Sequence, residues 1–77
     1  MIGCLVRFYD MEEYRYTYGI VISDGVIPDL GPQRRLKVVW FDNHGPTVEM
    51  KSDVLSLDAS PEVRVSSGAY IELVGKT

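Results

Sequence analysis

Polar and apolar residues take turns along most of the first 57 positions, with the two-residue period of a strand that buries one face. In "CLVRFY", Cys4, Val6 and Phe8 share one side while Leu5, Arg7 and Tyr9 share the other. "YGIVIS", from Tyr18 to Ser23, is a β-branched run with Gly19 near its start. A glycine there marks a bulge or a close approach of backbone, the means by which small sheets bend sharply. "LKVVWF" is the clearest strand in the chain. Leu36, Val38 and Trp40 are placed inside because the opposite set contains Lys37, which leaves Val39 and Phe41 on the outer face. Asn43, His44, Gly45 and Pro46 then read as a hairpin tip. The returning strand Thr47–Met50 is given Val48 and Met50 as its inward positions. "SDVLSL" supplies Leu55 and Leu57 in alternation. Five short strands with tight connections and no helical periodicity before residue 58 predict an all-β domain, a small and strongly bent barrel.

Two segments break the alternation. Residues 24–35, "DGVIPDLGPQRR", are punctuated by Asp24-Gly25, Pro28, Gly31 and Pro32, which predicts a loop of about a dozen residues. A loop that long in so small a domain is a place to look for function. Beyond Ala59 the pattern is double. Ser60-Pro61-Glu62 reads as a helix start with Val63, Tyr70 and Val74 on one face, whereas Val63/Val65 and Ile71/Leu73 alternate as in strands. Both readings stay open, one helix or two short strands. The chain divides accordingly into a barrel over 1–58 and an extension over 59–77 that packs on it or extends from it.

Composition narrows the function classes. A chain of 77 residues is one domain at the small end of what folds alone, so its core must be compact. Eleven acidic against eight basic residues, a net charge of −3, argue against a protein built mainly to hold phosphate backbones. The one short basic cluster is Arg34, Arg35 and Lys37. The single cysteine, Cys4, has no internal partner for a disulfide and reads as a small buried hydrophobe of a reducing compartment. No apolar run approaches the roughly 20 residues of a spanning helix, so no membrane partner is expected.

"IGCLVRF", "YGIVIS", "LKVVWFD" and "TVEMKSDVLSL" together resemble the strand pattern of SH3-like small barrels of the Tudor and KOW neighbourhood. The likeness covers about three quarters of the chain, Ile2 to Leu57. It is nearest to the small stand-alone proteins of this type encoded by tailed bacteriophages. The resemblance implies a five-stranded SH3-like barrel with a short C-terminal extension. It also implies a binding or scaffolding role within the virus particle or as an accessory of its assembly, in the virion or the host cytoplasm. It does not extend to reading methylated side chains, because Asn43 and His44 stand where Tudor readers carry a cage aromatic.

The chemistry that the residues offer points the same way. Asp42 and His44 are spaced as a base and its orienter, but no nucleophile lies at a matching spacing and a hairpin tip excludes no water. One histidine and one cysteine forty residues apart are a poor start for a metal site. "DMEE" lacks the register and central glycine of a calcium loop and reads as a solvated turn. No catalytic residue, metal or cofactor is therefore expected. Tyr14, Tyr16 and Tyr18 fall on one face of an extended segment, with Tyr9 near them. Tyrosine gives broad amphipathic contact at small entropic cost. The expected protein-binding residues are Tyr14, Tyr16, Tyr18, Val26, Ile27, Leu30, Val39 and Phe41. Their expected partner is another phage structural subunit or a second copy of the chain. The alternative is a nucleic-acid-associated accessory that uses Arg34, Arg35, Lys37 and the surface tyrosines.

Overall fold

The computed structural model describes residues 1–42, 45–56 and 69–76, and every regular element among them is a strand or a single turn of 3-10 helix. The chain is all-β, as the alternation predicts. Six strands form one sheet: β1 (Cys4–Asp10), β2 (Arg15–Val26), β3 (Arg34–Trp40), β4 (Thr47–Met50), β5 (Val54–Leu55) and β6 (Ala69–Lys76). Their order is β4-β3-β2-β1-β6-β5. All neighbours run antiparallel except β5 and β6, which are parallel. Six strands are thus described where five and a short extension were expected. β6 lies along the whole of β1 and separates it from β5, so residues 69–76 are an interior part of the sheet. The alternative of a helix through Tyr70 and Val74 is overturned for these residues. Ile71 and Leu73 alternate toward the core instead. The helix start at Ser60-Pro61, together with Val63, Val65 and Leu57, lies outside the described residues.

One core serves the whole sheet. Cys4 and Val6 from β1, Val21 from β2, Leu36, Val38 and Trp40 from β3, and Ile71 from β6 form a single buried cluster, flanked by Met1, Phe8, Val54 and Leu73. Inner-face residues from strands this far apart touch only if the sheet curls over them, since a flat sheet presents its strands side by side. The curl originates in β2, a strand of 12 residues. Its first half pairs with β1 and its second half with β3. At the hand-over sits Gly19, where an added Cβ would lie 2.8 Å from Trp40 Cε3, Val38 Cγ1 and the carbonyl oxygen of Val39. This is the close backbone approach that its position predicts. The bulge is a separate feature, between Val21 and Ser23.

Several local expectations change. Asp24-Gly25 is not a turn. The two residues pair with Leu36 and Arg35, and β2 continues to Val26 opposite Arg34. The loop shrinks to residues 27–33, around a 3-10 turn Pro28–Leu30 whose first residue is the proline. In β4 the phase is the reverse of the one expected: Thr47 lies opposite Val38 and Glu49 opposite Leu36, which turns Val48 outward. The cause is the buried Trp40 indole, whose Nε1 donates to Thr47 Oγ1 at 2.7 Å and so holds a hydroxyl on the inner face. Lys51–Asp53 forms a second 3-10 turn, leaving β5 only two residues long, and Val54, not Leu55, packs on the core. No helix among the described residues is long and apolar enough to cross a membrane.

Candidate functional site

Register decides what stands on the outer face. Tyr9 of β1 pairs with Tyr16 of β2 on one side and Tyr70 of β6 on the other, which sets three tyrosines in a row across three strands. Their rings meet at centroid distances of 4.8 Å (Tyr9–Tyr16) and 5.4 Å (Tyr9–Tyr70), and Tyr16 lies 6.4 Å from Tyr18. The next row is Glu72, Arg7 and Tyr18. Phe41 closes that row, because its N–H donates to the Tyr18 carbonyl at 2.9 Å. A third row holds Leu5, Ile20 and Val39. Same-face cross-strand neighbours of this kind are the contact unit of a sheet, and aromatic pairs at these distances add to it.

A charged pair underlies the rings. Arg7 Nε donates to the carboxylate of Glu72, which is only 3% exposed. The guanidinium lies 4.2 Å from the centre of the Tyr16 ring, and Nη1 reaches the Tyr18 hydroxyl at 3.4 Å. The Tyr18 oxygen first, and then the Glu72 carboxylate, hold the Arg7 charge and raise its pKa above the ordinary arginine value against the opposing effect of burial. The cation thus braces two tyrosines from below, and their outer parts stay exposed, Tyr16 to 43%.

The structure brings together four of the expected residues: Tyr16, Tyr18, Val39 and Phe41 share the outer face, and Phe41 is 61% exposed. Tyr14 departs from the expectation. The segment is not extended there: Tyr14 precedes β2 in the hairpin turn, with a φ of 55°, and its side chain is 80% exposed at the tip. A four-residue reversal between Asp10 and Arg15 forces a left-handed residue, and tyrosine occupies it. Val26, Ile27 and Leu30 lie at the other end of β2, roughly 30 Å of strand from Tyr16. They belong to a separate surface.

The basic cluster is also divided. Arg34 Nε donates to Asp24 at 3.3 Å, and Arg35 Nη2 donates to the Leu30 carbonyl at 2.8 Å. Among the described residues Lys37 makes no ion pair. The Asp24 carboxylate, 7% exposed, further accepts from the N-terminal ammonium at 2.8 Å and from Lys51 Nζ at 3.0 Å. These donors, the ammonium foremost and Lys51 next, hold its pKa well below the usual carboxylate range.

On the inner side, past the end of β3, lies an open cleft of about 370 Å³. Phe8, Trp40 and Ile71 form its floor, the first two edge to face at 6.5 Å. Asp10, Glu13, Asp42 and Glu49 stand around it with, among the described residues, one cation, Arg15, which pairs with Glu13 at 3.0 Å. Among the described residues no group of three or more His, Cys, Asp or Glu is placed to hold a metal ion. His44 lies outside the described residues, so the reading of it as a turn histidine is not addressed.

Sequence reasoning missed Tyr70, Arg7, Glu72 and Asp24. The alternation of Ile71 and Leu73 contained the signal for the first, since it puts Tyr70 on the opposite, outer face. Nothing local marks Asp24 as a hub, because its donors come from positions 1, 34 and 51. No family model matches the chain, and no curated protein or solved structure matches it significantly.

Proposed function

We propose that the chain is a non-catalytic protein-binding module that docks through its outer aromatic face, as a component of a tailed-phage particle or an accessory of its assembly. The observation that carries the reading is the row Tyr70–Tyr9–Tyr16, continued by Tyr18 and Phe41, in which the rings of Tyr16, Tyr18 and Phe41 are exposed and adjoin the half-buried Tyr9 and Tyr70. Side chains that share a face across adjacent strands make a patch, whereas isolated surface aromatics do not, and a patch of this kind marks an interaction site. The rings are pre-positioned by cross-strand pairing and by Arg7, so binding orders few new side chains. The phage setting rests on the sequence resemblance alone. The loop at Ile27 and Leu30 is a second, separate contact in this reading.

The test is photocrosslinking in the cell that makes the protein, with a photoreactive phenylalanine at position 41 and, separately, at position 30. The expected result is a discrete adduct from position 41 that disappears when Tyr16→Ser and Tyr18→Ser are added. A chain that stays monomeric at all concentrations and yields no adduct from either position would overturn the proposal.

A further inference from the structure

β2 is longer than the strand that covers it. β3 ends at Trp40, and the last rung beyond it is the Phe41 N–H on the Tyr18 carbonyl. Backbone groups of alternate residues in a strand point the same way, so the N–H and C=O of Tyr16 point to the side that β3 vacates. Among the described residues no group bonds them. A notch of about 320 Å³ opens there, with Tyr16, Tyr18 and Phe41 on its outer flank and Asp42 beyond them. Arg15, Thr17 and Asp42 also line the inner cleft, so notch and cleft adjoin.

We propose that an extended, basic segment of the partner protein adds to the sheet at this edge, bonding the Tyr16 N–H and C=O beyond the Phe41–Tyr18 rung. The inference rests on the protein-binding reading above and specifies its partner. An added strand projects alternate side chains to opposite faces. One set lies beside the rings of Tyr16, Tyr18 and Phe41. The other enters the inner cleft, where Asp10 and Glu49 stand at the rim over a floor of Phe8, Trp40 and Ile71, beside Glu13, which pairs with Arg15 at 3.0 Å. Lysine or arginine suits that cleft, because an aliphatic stem covers the apolar floor while the charge meets the rim. A segment that alternates apolar and basic residues satisfies the outer face, the open rung and the rim together. Acidic segments are repelled. A second copy of this chain is disfavoured as occupant, since the stretch of its own sequence that alternates in that way, Arg35–Val38, is already paired on both edges as β3.

The experiment is a titration of the isotope-labelled full chain, followed amide by amide by NMR, with a capped octapeptide that alternates valine and lysine. Saturation is expected to shift Tyr16, Thr17 and Tyr18 and to slow exchange of the Tyr16 amide about tenfold at nine-tenths occupancy. The valine–glutamate counterpart and a valine–lysine peptide N-methylated at alternate residues are expected not to bind. In the Glu49→Gln, Asp10→Asn double variant, whose asparagine still accepts the Glu12 N–H, affinity falls by about fivefold to tenfold. Equal binding of the acidic peptide, or no change at the Tyr16 amide up to millimolar valine–lysine peptide, overturns the inference. Tyr16 protection that rises with protein concentration alone also overturns it, in favour of self-association. If the Tyr16 amide stays unaffected while position 41 still crosslinks to a partner, strand addition falls and the binding module stands.

Discussion

At its C-terminal end β2 carries Asp24, a carboxylate drawn inward to bond the chain's N-terminal ammonium, Arg34 and Lys51. At its N-terminal end the same strand carries Tyr16 and Tyr18, held from below by Arg7 but open above, beside a backbone rung that nothing described completes. One end turns polar groups inward and satisfies them. The other turns apolar groups outward and leaves them unused. Burying a charge is tolerable only when partners surround it, so the Asp24 end stabilises the fold. Exposed rings and an uncapped edge add nothing to a monomer and invite association, so the Tyr16 end is where binding is expected.

The most severe way to break the comparison is to disturb the point where the two halves meet. Gly19→Ala puts a methyl against the Val39 carbonyl and the Trp40 ring, and overpacking of this kind costs about 3 kcal/mol. Urea unfolding followed by Trp40 fluorescence is expected to show that loss, with both ends of the sheet failing together. A loss of a few tenths would mean that the backbone approach is looser than described.

Asp24→Asn tests the holding end alone. Neutralising a carboxylate with three cationic donors is expected to cost about 2 kcal/mol at pH 7, with the tyrosine near-ultraviolet circular dichroism unchanged. The pH dependence gives a sharper signature. Because the folded-state pKa of Asp24 is depressed, its contribution is present in full above the unfolded value, near 4, and is lost as pH falls toward the folded value. The wild-type melting temperature should therefore drop more steeply than that of the asparagine variant below about pH 4. Parallel acid limbs in the two proteins would remove Asp24 from its assigned role.

The exposed end should respond in the opposite sense. Tyr16→Ser removes a ring that is 43% exposed, and its stability change is expected to stay within about 1 kcal/mol while partner crosslinking is lost. Tyr14→Gly is the mildest change. Glycine accepts a φ of 55° without the Cβ penalty, so a stabilisation of about 0.5–1 kcal/mol is expected in thermal unfolding. A destabilised glycine variant would show that the Tyr14 ring packs in a way its 80% exposure does not reveal.

Much of the fold was legible in the sequence, and the misses have physical causes. Alternation placed Leu36, Val38 and Trp40 on the core side and set Cys4 and Val6 on one shared face, because a one-residue slip would expose all of them. It failed in β4, where Val48 looks apolar enough to be buried but one hydrogen bond from Trp40 selects Thr47. Turn propensity failed at Asp24-Gly25, since three charges distant in sequence outweigh a local preference. Of the outer aromatic face, Tyr16, Tyr18, Val39 and Phe41 were readable from period two alone. Tyr14 was not, because a left-handed residue ends the alternation before it reaches that ring. The open rung at Tyr16 was invisible as well, since it depends on where β3 stops relative to β2, a fact of pairing and not of composition.

The most direct check is hydroxyl-radical footprinting of the chain in its native assembly against the isolated protein. Oxidation at Tyr16, Tyr18 and Phe41 should fall several-fold on assembly while Tyr14 changes less. Equal labelling of those three rings in both states would contradict a docking role for the outer face.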